Sequence, residues 1–305
     1  MKYRELGKTG YKVSVVGYGG VVSSQHFDKA VIPGDGQKMS DRFVSWAVEQ
    51  GINYFDVAPG YGDAQLLMGN SLIPYRRQIY LACKTNQRKR AGAESDLKES
   101  LRLLHTDYFD VYQLHGLSTM DELETCFGKD GAMGLLESMK KNGDARHIGF
   151  TAHSEAVALR ALELFDFDTV MFPFNWHMNM AHDMGKRLIK AAKEKGAGIL
   201  GIKSMIERAW HDEEERYGSP YPKSWCRPFD IQTESSFLLS ALRFTDSLGV
   251  DVLIPPGNFD HLQFAVTHVD DFADKPLSDN EHDALKDHLP EVTDYPFYDP
   301  DCYRL

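Results

Sequence analysis

Asp56, Tyr61, Lys84 and His115 are the residues of this 305-residue chain whose types could together move a proton. A tyrosine hydroxyl, with an ordinary pKa near 10, is too weak an acid to protonate a developing alkoxide unaided at neutral pH. A lysine ammonium about 4 Å away is worth on the order of 4 kcal/mol at an effective dielectric of 20, enough to bring the hydroxyl down by roughly 3 pH units. Buried, that lysine needs a carboxylate to keep its proton, and Asp56 meets the need. A neutral imidazole at His115 can donate to a carbonyl oxygen and stabilise an oxyanion. Taken alone, Lys84 would equally suit a structural ion pair or a Schiff-base lyase, but Schiff-base chemistry has no use for both Tyr61 and Asp56.

The elements that must position these groups are legible as period-2 and period-3.6 patterns. Eight short apolar runs, at 14–16, 54–56, 79–83, 111–114, 147–150, 169–172, 198–202 and 251–254, alternate with helix-length segments. Parallel strands with crossover helices follow, and eight is the number of an α/β (β/α)8 TIM barrel. The helices are expected at 41–50, capped by Ser40, at 95–104 with Leu97, Leu101 and Leu104 on one face, and at 135–141, 155–164, 186–195 and 235–244. A doubly wound sheet would carry a glycine-rich phosphate loop, and Gly17-Tyr18-Gly19-Gly20 lacks the third glycine of that motif. Functional side chains of a barrel lie where strands end, and here the runs end at Asp56 (with Tyr61 just beyond), Lys84, His115, Thr151 with His153, Asn175, and Lys203 with Ser204.

Three stretches exceed a minimal barrel. Residues 1–12 hold the turn Gly7-Lys8-Thr9-Gly10 and read as an N-terminal β-hairpin plugging the barrel bottom. Residues 204–232, with Pro220, Pro222 and Pro228, form a long candidate binding loop. Residues 276–305 carry a capped helix at 278–289 and an irregular tail. The expected organisation is one domain over 1–305, the barrel to about residue 270 and a C-terminal helical extension over 271–305.

The net charge of -11 repels phosphate backbones and anionic membranes, so nucleic acid and membrane are not expected partners and a small molecule is. Cys83, Cys126, Cys226 and Cys302 form no CxxC pair and read as reduced thiols, and His177 and His182 make no metal-binding spacing, so no metal is expected. With no apolar leader in the first residues and no run of about 18 apolar residues, a cytoplasmic location is expected. Arg88-Lys89-Arg90 could attract an anionic substrate or be an ordinary solvated loop. Trp176, Trp210, Tyr221 and Trp225 could wall a pocket or pack structurally.

The segment Gly51-Ile52-Asn53-Tyr54-Phe55-Asp56-Val57-Ala58-Pro59-Gly60-Tyr61-Gly62, with Leu81-Ala82-Cys83-Lys84-Thr85 and Tyr112-Gln113-Leu114-His115, resembles the aldo-keto reductase superfamily. The resemblance runs over about residues 1–270, through Ala241-Leu242-Arg243-Phe244 and Ile254-Pro255-Pro256-Gly257. It implies NAD(P)H-dependent reduction of a small-molecule carbonyl compound, with Tyr61 as general acid, Asp56 and Lys84 tuning it and His115 polarising the carbonyl. The implied cofactor residues are Gly20, Asp56, Thr151, Lys203, Ser204, Gly257, Asn258 and Gln263. The chain departs from the family pattern with Thr151-Ala152-His153 in place of Ser-Asn, Met171 in place of Gln, and Lys203 in place of a stacking tyrosine. The resemblance favours NADP(H), and the absence of Lys or Arg from 257–263 leaves NAD(H) open. A single terminal cysteine, Cys302, excludes the iron-sulfur module of some longer relatives. The alternative on the same fold is a non-catalytic dinucleotide sensor, and the sequence does not fix the oligomeric state.

Overall fold

The first apolar residues of the chain go to its floor. In the computed structural model, which describes residues 1–289, β1 (Tyr3–Glu5) and β2 (Lys12–Ser14) pair antiparallel around a 3-10 turn at Gly7–Thr9. At the turn, Leu6 is fully buried among Val13, Tyr54, Ala82, Val111, Met171, Leu200, Val252 and Ile254, which fill the barrel interior. Gly7, at φ +47°, lies so close to β-strand backbone that an added Cβ would meet the Gly198 nitrogen at 2.3 Å. The hairpin therefore plugs the barrel as the sequence suggests.

The barrel strands are β3 (Tyr18–Gly19), β6 (Tyr54–Asp56), β7 (Tyr80–Thr85), β8 (Phe109–Leu117), β9 (Ala145–Ala152), β10 (Thr169–Phe172), β11 (Gly198–Ile202) and β14 (Val252–Ile254). They pair in parallel in chain order. Two small hairpins, β4 (His26–Phe27) with β5 (Ala30–Val31) and β12 (Ile206–Arg208) with β13 (Arg227–Pro228), stand outside that sheet. The helices are α1 (Gly36–Glu49), α2 (Ala64–Leu72), α3 (Arg90–Leu103), α4 (Met120–Phe127), α5 (Met133–Asn142), α6 (Glu155–Leu164), α7 (Trp176–His182), α8 (Lys186–Glu194), α9 (Glu213–Gly218), α10 (Ser235–Ser247), α11 (Phe259–Thr267), α12 (Val269–Phe272) and α13 (Asp279–His288).

Two local expectations are corrected. The first barrel strand is Tyr18–Gly19 rather than 14–16, because Val15–Gly17 closes the ring instead: the Leu253 amide donates to Val15 O at 2.7 Å and the Gly17 amide to Leu253 O at 2.9 Å. Glycine is needed there, since a Cβ at Gly17 would come within 2.9 Å of Val252. Ser40 does not cap α1. Asp35 does, one turn earlier, accepting from the Lys38 amide at 3.1 Å, while Ser40 is buried and bonded to Ser71. The expected cap at Ser278 is present as a reciprocal capping box with Glu281 on α13. The tail at 290–305, with Cys302, lies outside the described residues.

Strand alternation sorts the layers. Tyr54 and Ala82 face the interior while Phe55 and Cys83 pack outward under the helices, so Asp56 and Lys84 return to the inside. Leu6→Ala should lower stability by about 2–5 kcal/mol, the cost of a core cavity, and leave ligand binding at the far end of the barrel unchanged. Urea unfolding monitored by circular dichroism checks this.

Candidate active site

Asp56 ends β6 and Lys84 lies near the end of β7, where Asp56 pairs in register with Ala82. The two side chains meet inside the barrel, with Lys84 Nζ 2.5 Å from Asp56 Oδ2 and 3.4 Å from Val57 O. Burial disfavours the ammonium, but the attraction of Asp56 outweighs it and holds the Lys84 pKa above its ordinary value. Tyr61 is delivered by the turn after β6, its amide donating to Ala58 O at 3.1 Å. Gly62 follows at φ +60°, where a Cβ would fall 1.7 Å from His26 O. The half-buried Tyr61 ring lies with Lys84 Nζ 5.1 Å from its centroid. Burial raises the Tyr61 pKa and Lys84 opposes that rise, so the ammonium offsets burial instead of bringing the free hydroxyl below its usual value as charge alone would suggest.

His115 completes the group. β8 changes register between Leu114 and Leu117, an irregularity that re-aims the residues between them. Arg88 fixes the kink, donating to His115 O at 2.7 Å and Gly116 O at 3.1 Å. The imidazole stands edge-on to Tyr61 with centroids 5.7 Å apart. Burial, followed by the charge of Lys84, keeps its pKa well below the ordinary value, so the ring is neutral. Its Nδ1 hydrogen-bonds the Asn86 amide. With the amide oxygen facing the ring, Nδ1 carries the proton and Nε2 is an acceptor; rotating the amide by a half-turn exchanges these roles.

Asp56, Tyr61 and His115 border a cavity in two compartments, and Lys84 is buried behind them. The larger, about 810 Å³, is lined by Tyr61, His115, Thr151, His153, Arg216 and Trp225 among others. The smaller, about 90 Å³, is lined by Gly19, Asp56, Lys223 and Gly257 among others, and both share Tyr61, Ile202, Lys203 and Trp225. Of the residues implicated by the sequence, Thr151 and Lys203 line the larger compartment, and Asp56, Lys203 and Gly257 the smaller. Asp56 Oδ1, Ser204 Oγ and Asn258 Nδ2 are buried without a hydrogen-bond partner among the described residues. Gly20 packs against Val57 and Gln263 lies on α11, and neither borders these compartments. Trp210 and Trp225 wall the larger compartment, whereas Trp176 is fully buried and Tyr221 packs edge-on against His261. In the basic triplet, Arg88 turns inward to the cavity, Lys89 is exposed and Arg90 pairs with Glu94 at 2.8 Å.

Residues 204–232 form a strap over this cavity, built by β12, α9 and β13. Lys203 opens it in the left-handed region, φ +65°, pinned by Asn175 Nδ2 donating to Lys203 O at 2.8 Å and Ile206 O at 2.9 Å. Its far side is held by Lys223, whose Nζ donates to Val21 O at 3.0 Å and to Val22 O and Ser24 O at 2.9 Å, with burial bringing its pKa down to about 8. Asn86, Arg216 and Lys223 carry no motif and were not distinguishable in the sequence from ordinary loop residues.

The model of the Aldo/keto reductase family matches residues 36–230. The chain belongs to the aldo/keto reductase family. Its members are NAD(P)H-dependent oxidoreductases acting on small carbonyl compounds. Among family relatives, the chain is 28% identical over 189 residues to the uncharacterized oxidoreductase YqkF of Bacillus subtilis (57% of this chain, 56% of that protein). It is 25% identical over 219 residues to L-galactose dehydrogenase of Arabidopsis thaliana (67% and 66%). With YqkF and B. subtilis YhdN the match spans only 56% and 38% of the relative's length. In fold, the family member AKR11C1 of Bacillus halodurans, in its holo form, superposes with a TM-score of 0.68 at 20% identity, covering 94% of this chain and 96% of that one. The glycerol dehydrogenase AKR11B4 of Gluconobacter oxydans gives 0.67 at 18% identity, covering 98% of each. Both support the eight-stranded barrel.

Two outcomes follow from the groups around this family member's site. Asn86→Asp should fix the proton on His115 Nδ1 and raise the imidazole pKa, read by NMR titration of the ring protons. His261, which ties α11 to the strap through Phe229 O at 3.0 Å, is held by burial at about 4. The unfolded chain takes up this proton near 6.5 and the folded chain does not, so stability is lost as pH falls from about 6.5 towards 4 and no further below. That one histidine should cost about 2 kcal/mol between pH 7 and pH 5, and urea midpoints for His261→Leu should show a correspondingly shallower acid limb.

Proposed function

We propose that this chain reduces an aldehyde or ketone with a nicotinamide dinucleotide, Tyr61 delivering the proton. The observation that carries the reading is the buried Lys84–Asp56 pair lying under the Tyr61 ring, with neutral His115 at the ring's edge and Tyr61 bordering both compartments of the cavity. The Lys84 ammonium stabilises the phenolate that forms when Tyr61 gives up its proton, while Asp56 keeps that ammonium charged. His115 orients the substrate carbonyl by donating from Nε2, which requires the Asn86 amide to present its NH2 to Nδ1. Arg88 holds the backbone of His115, and through it the ring, in place.

The smaller compartment suits a polar ligand, because Asp56 Oδ1 is buried with open hydrogen-bonding capacity, Gly19 and Gly257 present no side chain, and Ser204 Oγ and Asn258 Nδ2, each next in the chain to a lining residue, are likewise unpartnered among the described residues. Asp56, Lys203, Ser204, Gly257 and Asn258 would hold one part of the dinucleotide, which must extend beyond this space of about 90 Å³, and Thr151 in the larger compartment its carboxamide. Bound, the reduced nicotinamide supplies a hydride to the carbonyl carbon. Family resemblance favours NADP(H), while Asp260 at the start of α11 and the absence of Lys or Arg from 257–263 favour NAD(H). This reading takes 1–305 as one barrel domain with its C-terminal extension.

Tyr61→Phe should abolish NAD(P)H oxidation on an aldehyde panel and leave cofactor binding, followed by tryptophan fluorescence, unchanged. Retained turnover would remove Tyr61 from its role. A wild-type chain that binds either dinucleotide tightly yet turns over none of the panel would instead favour the sensor. Parallel titrations with NADPH and NADH choose the cofactor.

A further inference from the structure

Arg216 offers more donors than the fold uses. It lies on α9 of the strap, borders the larger compartment and is only 8% exposed. Nε donates to Pro222 O at 3.0 Å and Nη1 to Asp28 Oδ2 at 2.9 Å, but Nη2 is buried with no hydrogen-bond partner among the described residues. The guanidinium lies 5.1 Å over the ring of Trp225 at the cavity rim. Trp225 in turn contacts Phe27 at 5.1 Å, and Phe27 contacts Tyr61 at 6.5 Å. One aromatic ring thus separates the Arg216 platform from the proposed proton donor.

Two further cations, Arg88 and Lys203, border the same compartment in a chain of net charge -11, Arg88 also pairing with Glu122 at 3.2 Å, and a neutral imidazole, His153, lies beside them. The acidic side chains that also border it are engaged elsewhere: Asp212 accepts from the Glu215 amide at 2.7 Å, and Glu213 pairs with Lys29 at 2.6 Å. Burial lowers the pKa of Lys203, and Arg216 pushes in the same direction. His153 is brought to about 4 by burial and then by Lys203. A guanidinium that borders a cavity with one buried donor left unpartnered is a strong recognition element for an oxyanion.

We infer that the larger compartment accepts a carbonyl compound carrying an anionic group, a carboxylate or a phosphate, whose oxygens bind Arg216 Nη2 while its carbonyl end faces Tyr61. The reductive use of this site rests on the function proposed above; the anion recognition does not. Trp210 and Trp225 both border the compartment, so their fluorescence reports its occupancy without turnover.

The full chain is titrated with succinate, glutarate and inorganic phosphate, and with the neutral succinamide, while kcat/KM is measured for succinic semialdehyde, glyceraldehyde 3-phosphate and butanal. Saturable quenching by a carboxylate or by phosphate, with none by succinamide, is the expected result, and which anion binds identifies the group. Arg216→Gln should weaken that binding about tenfold to a hundredfold, the loss of one charge-assisted hydrogen bond, and Arg216→Lys should restore part of it. The Arg216→Gln loss in kcat/KM should be confined to the anionic aldehydes. Equal binding of succinamide, or a folded Arg216→Gln that binds the anion as well as wild type, would overturn the inference. If Arg216→Gln does not fold, the wild-type comparison of succinate with succinamide still decides. Anion binding without turnover of any aldehyde would overturn the reductive reading alone, and turnover of butanal without anion binding would overturn the anion subsite alone.

Discussion

The contact between Lys84 and Asp56 is the constraint on which the rest of the site depends. Both side chains are almost wholly withdrawn from water inside a barrel otherwise filled with apolar groups. Neither is tolerable there alone, since an unpaired charge in such a place costs about 3–5 kcal/mol. Paired, they fix a positive charge beneath Tyr61. Burial, and after it the same charge, keeps the nearby imidazole of His115 neutral.

That pair exists only because the barrel closes. Asp56 and Lys84 come from adjacent strands whose inward positions are set by pleat alternation, and the ring is shut where Val15–Gly17 meets Leu253. Below, Leu6 and the close approach of Gly7 to β11 close the floor of the barrel.

Above, the strap converts an open barrel mouth into a bounded cavity. It is tied by polar contacts rather than by apolar burial alone: Asn175 at its start, Lys223 on three backbone carbonyls, His261 at Phe229. Those ties place Arg216 and Trp225 over the same space that Tyr61 and His115 border from below. Arg88, Lys203 and Arg216 line that space in a chain that is acidic as a whole, so global charge is a poor guide to what the cavity attracts.

Much of this was legible locally. Period-2 alternation by itself set Lys84 and Cys83 on opposite faces, the strand ends named Tyr61 and His115, and the capped helix at 278–289 was legible. Where the local signal was ambiguous the reading slipped: Ser40 and Asp35 are both good caps, and nothing in the sequence says which starts α1. The first barrel strand moved from 14–16 to Tyr18–Gly19 because ring closure, a contact between the two ends of the barrel, decides which residues pair. Asn86 against His115 and the open edge of Arg216 had no sequence signature at all. Spacing along a chain determines which side of a strand a residue takes, but which loops meet above the strands is set by long-range packing, and only the tertiary structure decided that.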